Sequence, residues 1–279
     1  MNKEKSSRQK TIGFEAVDQA RDPLAFTHYL NKVNSLEAIR NYKSKVHALL
    51  EVRDGDSILD IGCGVGIDTE EIAELFGPNI KITGIDNSEK MIKAANSSLT
   101  NKKNHTQIRY VVGDACSLDF KDNEFDIVRA DRTFQHLIDP KRALREMVRV
   151  TKPGGKILVI DANWKSLEIK GISRENSELI KKTYGAIIQN PNIAIKLKKL
   201  MIEAGIKEDQ IYFEKTQLVF SNLSSIEDVL WIEDSLNEAE KMGTITQEDK
   251  LKCMRDVKRA DSDYVQATIE LYIVKGIKA

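Results

Sequence analysis

The sequence predicts an α/β fold, a doubly wound and mostly parallel sheet with helices on both faces. Three observations predict it. Short apolar runs alternate with helix-compatible stretches from residue 57 to residue 161. The first run, Ser57-Ile58-Leu59-Asp60-Ile61, leads into a loop with glycine at alternate positions, Gly62-Cys63-Gly64-Val65-Gly66. A helix-compatible segment, 67–76, follows that loop. Strand, glycine loop and helix in this order form a turn whose backbone can approach a ligand closely.

The elements follow in order. Leu24, Tyr29, Leu30, Val33 and Leu36 give a helical stripe, and Tyr42, Val46, Leu49 and Leu50 give a second one. Strands are expected near 57–61, 80–86, 107–112, 125–129 and 155–161, and helices near 67–76, 88–99 and 140–150. Asp139-Pro140 suits a helix start and Pro153-Gly154-Gly155 a stop. Beyond Asp161 the pattern turns helical near 174–188 and 192–204, then extended near 211–220. Residues 224–241 and 246–260 read as helices separated at Gly243, and 265–275 reads as the last strand.

Totals bound the function. The chain has 279 residues, enough for one large domain or a domain with an elaborated cap. Its 43 basic and 43 acidic side chains cancel, which argues against a dedicated nucleic-acid surface. The basic stretch from Lys3 to Lys10 reads as a solvated tail. No apolar run approaches a membrane span, and no signal-peptide core opens the chain. Cys63, Cys116 and Cys253 show no CxxC spacing, so a reducing, cytoplasmic setting is expected and a zinc site is not.

The acid before the glycines discriminates among ligands. A carboxylate at Asp60 would repel a pyrophosphate but suits a cationic amino group. The dinucleotide fingerprint fails as well, because its third glycine position is Ile67. No Gly-Lys-Ser/Thr follows, which excludes a phosphate-binding loop of the NTPase kind.

Asp60-Ile61-Gly62-Cys63-Gly64-Val65-Gly66 resembles motif I of the class I S-adenosylmethionine-dependent methyltransferases. Ile82-Thr83-Gly84-Ile85-Asp86 resembles their second strand with its ribose-binding acid, and Val111-Val112-Gly113-Asp114-Ala115 their adenine-side motif. Phe125 to Asp131 resembles the fourth strand, and Val150 to Gly155 the turn before the fifth. The order and spacing of the five motifs carry the resemblance, which covers residues 55–161. It points to the small-molecule subgroup, with the ubiquinone/menaquinone-type and natural-product enzymes. It implies a Rossmann-like seven-stranded sheet whose last strand is antiparallel, plus a helical cap. The implied division is 1–50 for the tail and first cap helices, 51–162 for the cofactor-binding core, and 163–279 for further cap helices and the last two strands.

The resemblance assigns the cofactor, S-adenosyl-L-methionine, to Asp60, Gly62, Cys63, Gly64, Asp86, Asn87, Met91, Gly113, Asp114, Ala115, Ala130 and Gln135. Asp60 would orient the loop and, directly or through water, receive the amino group. Asp86 can accept from both ribose hydroxyls, and it can equally cap the helix beginning at Ser88. Asp114 fits the adenine amino group or a plain turn after Gly113. Catalytic candidates are His136 and Asp131 past the fourth strand, with His28 reaching down from the cap. A structural role for either histidine is the plainer reading. Tyr29, Arg132 and Trp164 are expected in the substrate pocket.

Two absences narrow the acceptor. No Asn/Asp-Pro-Pro-Tyr follows the fourth strand, and no cysteine stands where a pyrimidine C5 enzyme needs its nucleophile. Asp131, Asp161 and Asn163 could suggest magnesium, but Ala162 splits the latter pair, and no metal is expected. The reading is a methyltransferase acting on oxygen or nitrogen of a small organic molecule, as a monomer or homodimer. The alternatives are a carbon acceptor of the quinone type and a cofactor-binding protein without catalysis.

Overall fold

The computed structural model describes residue 18 and residues 23–100, 107–261 and 264–279; the Lys3–Lys10 stretch lies outside them. Two helices, α1 (Pro23–Ser35) and α2 (Glu37–Leu50), precede the sheet. Five parallel strands follow: β1 (Ser57–Ile61), β2 (Lys81–Asp86), β3 (Ile108–Val112), β4 (Phe125–Asp131) and β5 (Thr151–Lys170). Helices α3 (Ile67–Phe76), α4 (Glu89–Thr100) and α5 (Pro140–Val150) lie between them. After α6 (Arg174–Ile187) and α7 (Leu197–Glu203) comes β6 (Ile211–Phe220). Then α8 (Leu223–Leu230), α9 (Ile232–Lys241) and α10 (Gln247–Arg259) lead to β7 (Gln266–Ile277).

The strand order is β3-β2-β1-β4-β5-β7-β6, and β7 runs antiparallel to both neighbours. The chain winds outward from β1 in one direction and from β4 in the other. The carboxyl ends of β1 and β4 therefore part to leave a crevice, where ligands of such sheets bind. Alternation along the strands builds two cores. Ile58, Ile127, Leu158 and Ile160 face one cluster with α2, α3 and α4. Leu59, Val128, Ile157 and Val159 face the other, with α5 and α7.

Four boundaries differ from the expected ones for physical reasons. The fifth strand continues beyond residue 161 to Lys170, because the register shifts between Asn163 and Glu168. That bulge breaks the alternation, so Leu167 and Ile169 no longer read in phase with Ile160 although both are buried. The expected helix over 224–241 is two helices. Trp231 takes a left-handed φ of 45° between them, and its N–H still bonds Glu227 O at 2.9 Å. The segment near 192–204 is a 3₁₀ turn, Ala194–Lys196, followed by the short α7. The last strand runs two residues further than expected, to Ile277, held by pairing with Lys156. Asp139 caps α5 as its sequence suggests, accepting from Arg142 N at 3.0 Å with Pro140 in the first turn.

Candidate active site

At the crevice lies one cleft with about 1510 Å³ of empty space, part of it open to solvent. The glycine loop forms its floor. Gly62 has φ 71°, and a Cβ there would stand 2.3 Å from Thr133 Oγ1. That hydroxyl bonds Ile61 O at 3.1 Å, so the loop after β4 presses directly on the loop after β1. Gly66 has φ 87°, and a Cβ there would meet the Tyr110 hydroxyl at 2.2 Å. The hydroxyl donates to Gly66 O at 3.1 Å. Both positions exclude any side chain for reasons of packing and backbone conformation together.

Asp86 at the tip of β2 accepts from Gly64 N and from Ser88 N, each at 2.9 Å. One hydrogen bond per oxygen leaves further acceptor capacity on both. Burial raises its pKa, opposed by those backbone donors. Asp18 reaches the same helix end and accepts from Glu89 N at 2.9 Å and Lys90 N at 3.2 Å. Asp86 thus both serves the turn before α4 and faces the cleft. Asp114 is exposed; it accepts from Cys116 N at 2.8 Å in a tight turn and also borders the cleft. Asn87, Gly113 and Ala115 line the same end. Met91 is buried against Val65, with Leu30, Ile67 and Ala94 around them. Cys63 lines the cleft too, and burial raises its thiol well above the ordinary range.

Asp60 lines the cleft, and its two oxygens accept from Arg129 Nη1 at 2.9 Å and Thr69 Oγ1 at 2.8 Å. Arg129 is fully buried and also pairs with Asp68 and Asp131, both at 3.1 Å. Lys43 from α2 closes the network on Asp68 and Asn34. Burial pushes Asp60 up to about 6 against the pull of Arg129. For Asp68 burial loses to Lys43 and Arg129, which hold its carboxyl below the usual range. Charge compensation, not solvent, thus keeps this floor ionised. Arg129, Asp68, Lys43 and Thr69 are site residues that the sequence reading missed. The available signal was an arginine in the middle of the apolar strand Phe125–Asp131, where an unpaired charge is untenable.

The loop after β4 carries the remaining candidates. Asp131 is occupied on both oxygens, by Tyr42 OH at 3.1 Å and Arg129 Nη2 at 3.1 Å. Arg132 has φ 54°, a conformation that side chains seldom take, and its N–H bonds Ile160 O at 2.8 Å. Its Nε lies 3.5 Å from Asp131 Oδ1 and is buried without a hydrogen-bond partner.

Trp164, on the β5 bulge, donates its indole N–H to Gln135 Oε1 and stacks on Tyr184 at 4.8 Å between centroids. An indole only donates, so this bond fixes which end of the Gln135 amide is oxygen. Gln135 Nε2 then donates to Arg132 O at 3.1 Å and to His136 Nε2 at 3.0 Å. The proton of the neutral His136 ring therefore sits on Nδ1. Burial, helped by Arg132, pulls the imidazole down to about 4, so it is neutral at pH 7. Behind them Asp161 accepts from Gln135 N and Ala162 N, each at 3.0 Å, and burial pushes it up to about 8.

Two expected residues fall outside the cleft. His28 lies exposed on α1 and is not among the lining residues. Ala130 is fully buried in the α5 core, because alternation turns it away from the crevice. Tyr29 lines the cleft, donates to Val229 O at 3.2 Å and meets Trp231 edge-on at 4.8 Å. Leu218, Phe220, Val229 and Ile269, from β6, α8 and β7, complete an apolar chamber beyond Trp164. None of these four was expected from the sequence. Among the described residues no cluster of three or more His, Cys, Asp and Glu side chains could hold a metal ion.

Comparison with known proteins meets this geometry. Residues 59–159 match the family described as methyltransferase domain. That stretch is a methyltransferase domain. It is 31% identical over 216 residues to an uncharacterized 37.1 kDa protein in transposon TN4556 of Streptomyces fradiae, covering 77% of this chain and 61% of that one. It is 34% identical over 140 residues to demethylmenaquinone methyltransferase of Staphylococcus aureus, covering 50% and 57%. The chain thus spans about three fifths of the length of these curated relatives. A Haemonchus contortus phosphoethanolamine N-methyltransferase, solved with phosphomonomethylethanolamine and S-adenosylhomocysteine, superposes with a TM-score of 0.63. The match covers 96% of this chain and 61% of that one at 19% identity, a likeness of fold. Among the described residues no helix is long and apolar enough to cross a membrane.

Proposed function

We propose that the chain is an S-adenosylmethionine-dependent methyltransferase that methylates an oxygen or nitrogen atom of a small organic molecule. One observation carries this reading. The glycine loop, Asp86 and Asp114 border the same cleft as the apolar chamber of Trp164, Leu218, Phe220, Val229 and Ile269. A cofactor seat that shares one cleft with an apolar wall suits transfer between two small molecules.

The donor set fits S-adenosylmethionine. Asp86 has acceptor capacity left for two ribose hydroxyls. Asp114 and the Ala115 N–H suit the adenine edge. Val65 and Met91 give an apolar seat between them. Gly62, Cys63 and Gly64 run beside the methionine portion, supported from below by Asp60 and Arg129. Asp60 acts by holding the loop through Thr69 on α3. When bound, the cofactor supplies a methyl group on a sulfonium. The chain contributes alignment and exclusion of water, with effective molarities worth roughly 7–11 kcal/mol in favourable cases. Helices α1, α2 and α8 cover the cleft from above through Tyr29, Ile39 and Val229. His136 serves as part of the chamber wall, since its Nε2 lone pair already accepts from Gln135.

Titration calorimetry with S-adenosylhomocysteine tests the reading, with one site per chain expected. Binding of NAD in its place would refute it. A carbon acceptor of the quinone type is the second reading, favoured by the likeness to the staphylococcal demethylmenaquinone enzyme. Product analysis by NMR separates the two, since a new C-methyl signal differs from an O- or N-methyl one.

A further inference from the structure

The site holds three basic groups, Arg129, Lys43 and Arg132, and of the two arginines Arg132 lines the cleft while Arg129 is fully buried outside its lining. Arg129 bonds Asp60, Asp68 and Asp131, and Lys43 bonds Asp68 and Asn34. Each arginine leaves its Nε without a partner, but only that of Arg132 belongs to a side chain lining the cleft. Its Nε is buried without a hydrogen-bond partner, and Asp131, its ion-pair neighbour at 3.5 Å, is already held by Tyr42 and Arg129. A buried donor left without an acceptor is costly, and a guanidinium presents a fork suited to a carboxylate. The side chain stands on a left-handed residue at the rim of the cleft, and such backbone strain concentrates at functional positions.

Its surroundings select the ligand. The chamber beyond it is walled by Trp164, Leu218, Phe220, Val229 and Ile269, which bring no charge. The possible bases nearby are occupied. Asp131 is paired, His136 Nε2 accepts from Gln135, and Asp161 is enclosed by two backbone donors. An acceptor that arrives already ionised needs none of them.

We propose that Arg132 is the recognition residue for an anionic oxygen group on the methyl acceptor, so that the substrate class is an apolar or aromatic acid. The proposal rests on the methyltransferase reading and narrows it. The guanidinium takes the acid, and the chamber takes the apolar body. An amine carried as a cation is disfavoured at the same place.

The test uses the full chain with 4-phenylbutyrate and its neutral isostere 4-phenylbutyramide as probes, in calorimetric titrations without and with S-adenosylhomocysteine. The acid is expected to bind about tenfold or more tighter than the amide, the scale of a charge-assisted hydrogen bond. Arg132→Gln should erase that preference while its melting temperature and its affinity for S-adenosylhomocysteine stay as in the parent. Arg132→Lys should restore part of the preference, because it keeps the charge without the fork. Equal binding of acid and amide, binding of neither, or a preference that survives Arg132→Gln overturns the proposal. So does a loss of S-adenosylhomocysteine affinity in Arg132→Gln, which would assign the guanidinium to the cofactor's own carboxylate. Failure of the parent protein to bind S-adenosylhomocysteine would instead refute the methyltransferase reading, while the acid preference of the free protein is still measured.

Discussion

Arg129→Met removes the guanidinium and keeps most of the side-chain length. In the parent, Arg129 is fully buried and bonds three carboxylates at 2.9, 3.1 and 3.1 Å. Two of them retain another partner that favours ionisation: Lys43 for Asp68 and Arg132 for Asp131. Asp60 keeps only the Thr69 hydroxyl, so it is the charge left stranded. Breaking a buried pair from one side costs about 3–5 kcal/mol. At about 2–4 °C per kcal/mol for a domain of this size, the melting temperature should fall by about 6–20 °C at pH 8.

The pH dependence has a definite sign. Burial holds the Asp60 carboxyl at about 6 in the folded protein against 3.8 for an unperturbed aspartate, so the folded state binds more protons between those values. Its contribution is therefore fully present below about pH 4 and falls as pH rises through 6. Without Arg129 the folded value moves higher still, and protonation relieves the stranded charge sooner. The gap between parent and variant should narrow at pH 5. His136 titrates in both proteins and cancels from the difference. Thermal denaturation followed by circular dichroism at pH 8 and pH 5 checks both points. A variant that melts within 2 °C or so of the parent at pH 8 would refute the charge-compensation argument, since it lies below the smallest expected loss. A gap that stays constant between the two pH values would refute the assignment to Asp60.

Three further outcomes follow from the site. Gly62→Ala should lose S-adenosylhomocysteine binding and melt lower, since its Cβ would stand 2.3 Å from Thr133 Oγ1; calorimetry at parent-like affinity would contradict this. Asp86→Ala should weaken S-adenosylhomocysteine by roughly 1.5–3 kcal/mol, the scale of hydrogen bonds to a charged group, and Asp86→Asn by less. Unchanged affinity in a folded variant would move the ribose site elsewhere. His136 should show protonated Nδ1 in nitrogen-detected NMR and no titration near pH 6.5, because burial and Arg132 hold it neutral down to about 4. Its depressed value makes it a source of acid instability: the stability it contributes is lost as pH falls from about 6.5 to 4. A titration midpoint above 6 would remove the hydrogen-bond chain from Trp164.

The sheet was legible because its signals are local. Strands β1, β2 and β4 are short runs buried on both faces over most of their length, and each turn carries its own chemistry, such as Asp139-Pro140 before α5. Legibility ended where a local period was broken by a long-range constraint. The β5 bulge exists because Trp164 N bonds Pro191 O and Ser166 Oγ takes Glu270 N, partners far along the chain. The break at Trp231 has the same character. A tryptophan at φ 45° is not a stop signal in the sequence, yet its ring packs against Tyr29 from the first helix.

The site divides along the same line. Backbone-driven parts, the glycine loop and the acids at the tips of β2 and β3, were legible because φ and spacing dictate them. Side-chain partnerships were not. The sequence places Asp60 before the glycines but says nothing of what stands beside it. The structure brings Arg129 to it across paired strands, where Asp60 and Arg129 are register partners. Registry between strands separated by 69 residues is a product of the whole sheet. Arg132 illustrates the converse. One position after Asp131 the chain turns left-handed, and the Arg132 side chain lines the cleft with its Nε 3.5 Å from Asp131 Oδ1. The two arginines differ in chemistry because one lies within a strand and the other begins a loop. The first is a structural counter-ion by geometry, and the second keeps hydrogen-bonding capacity for something that enters the cleft.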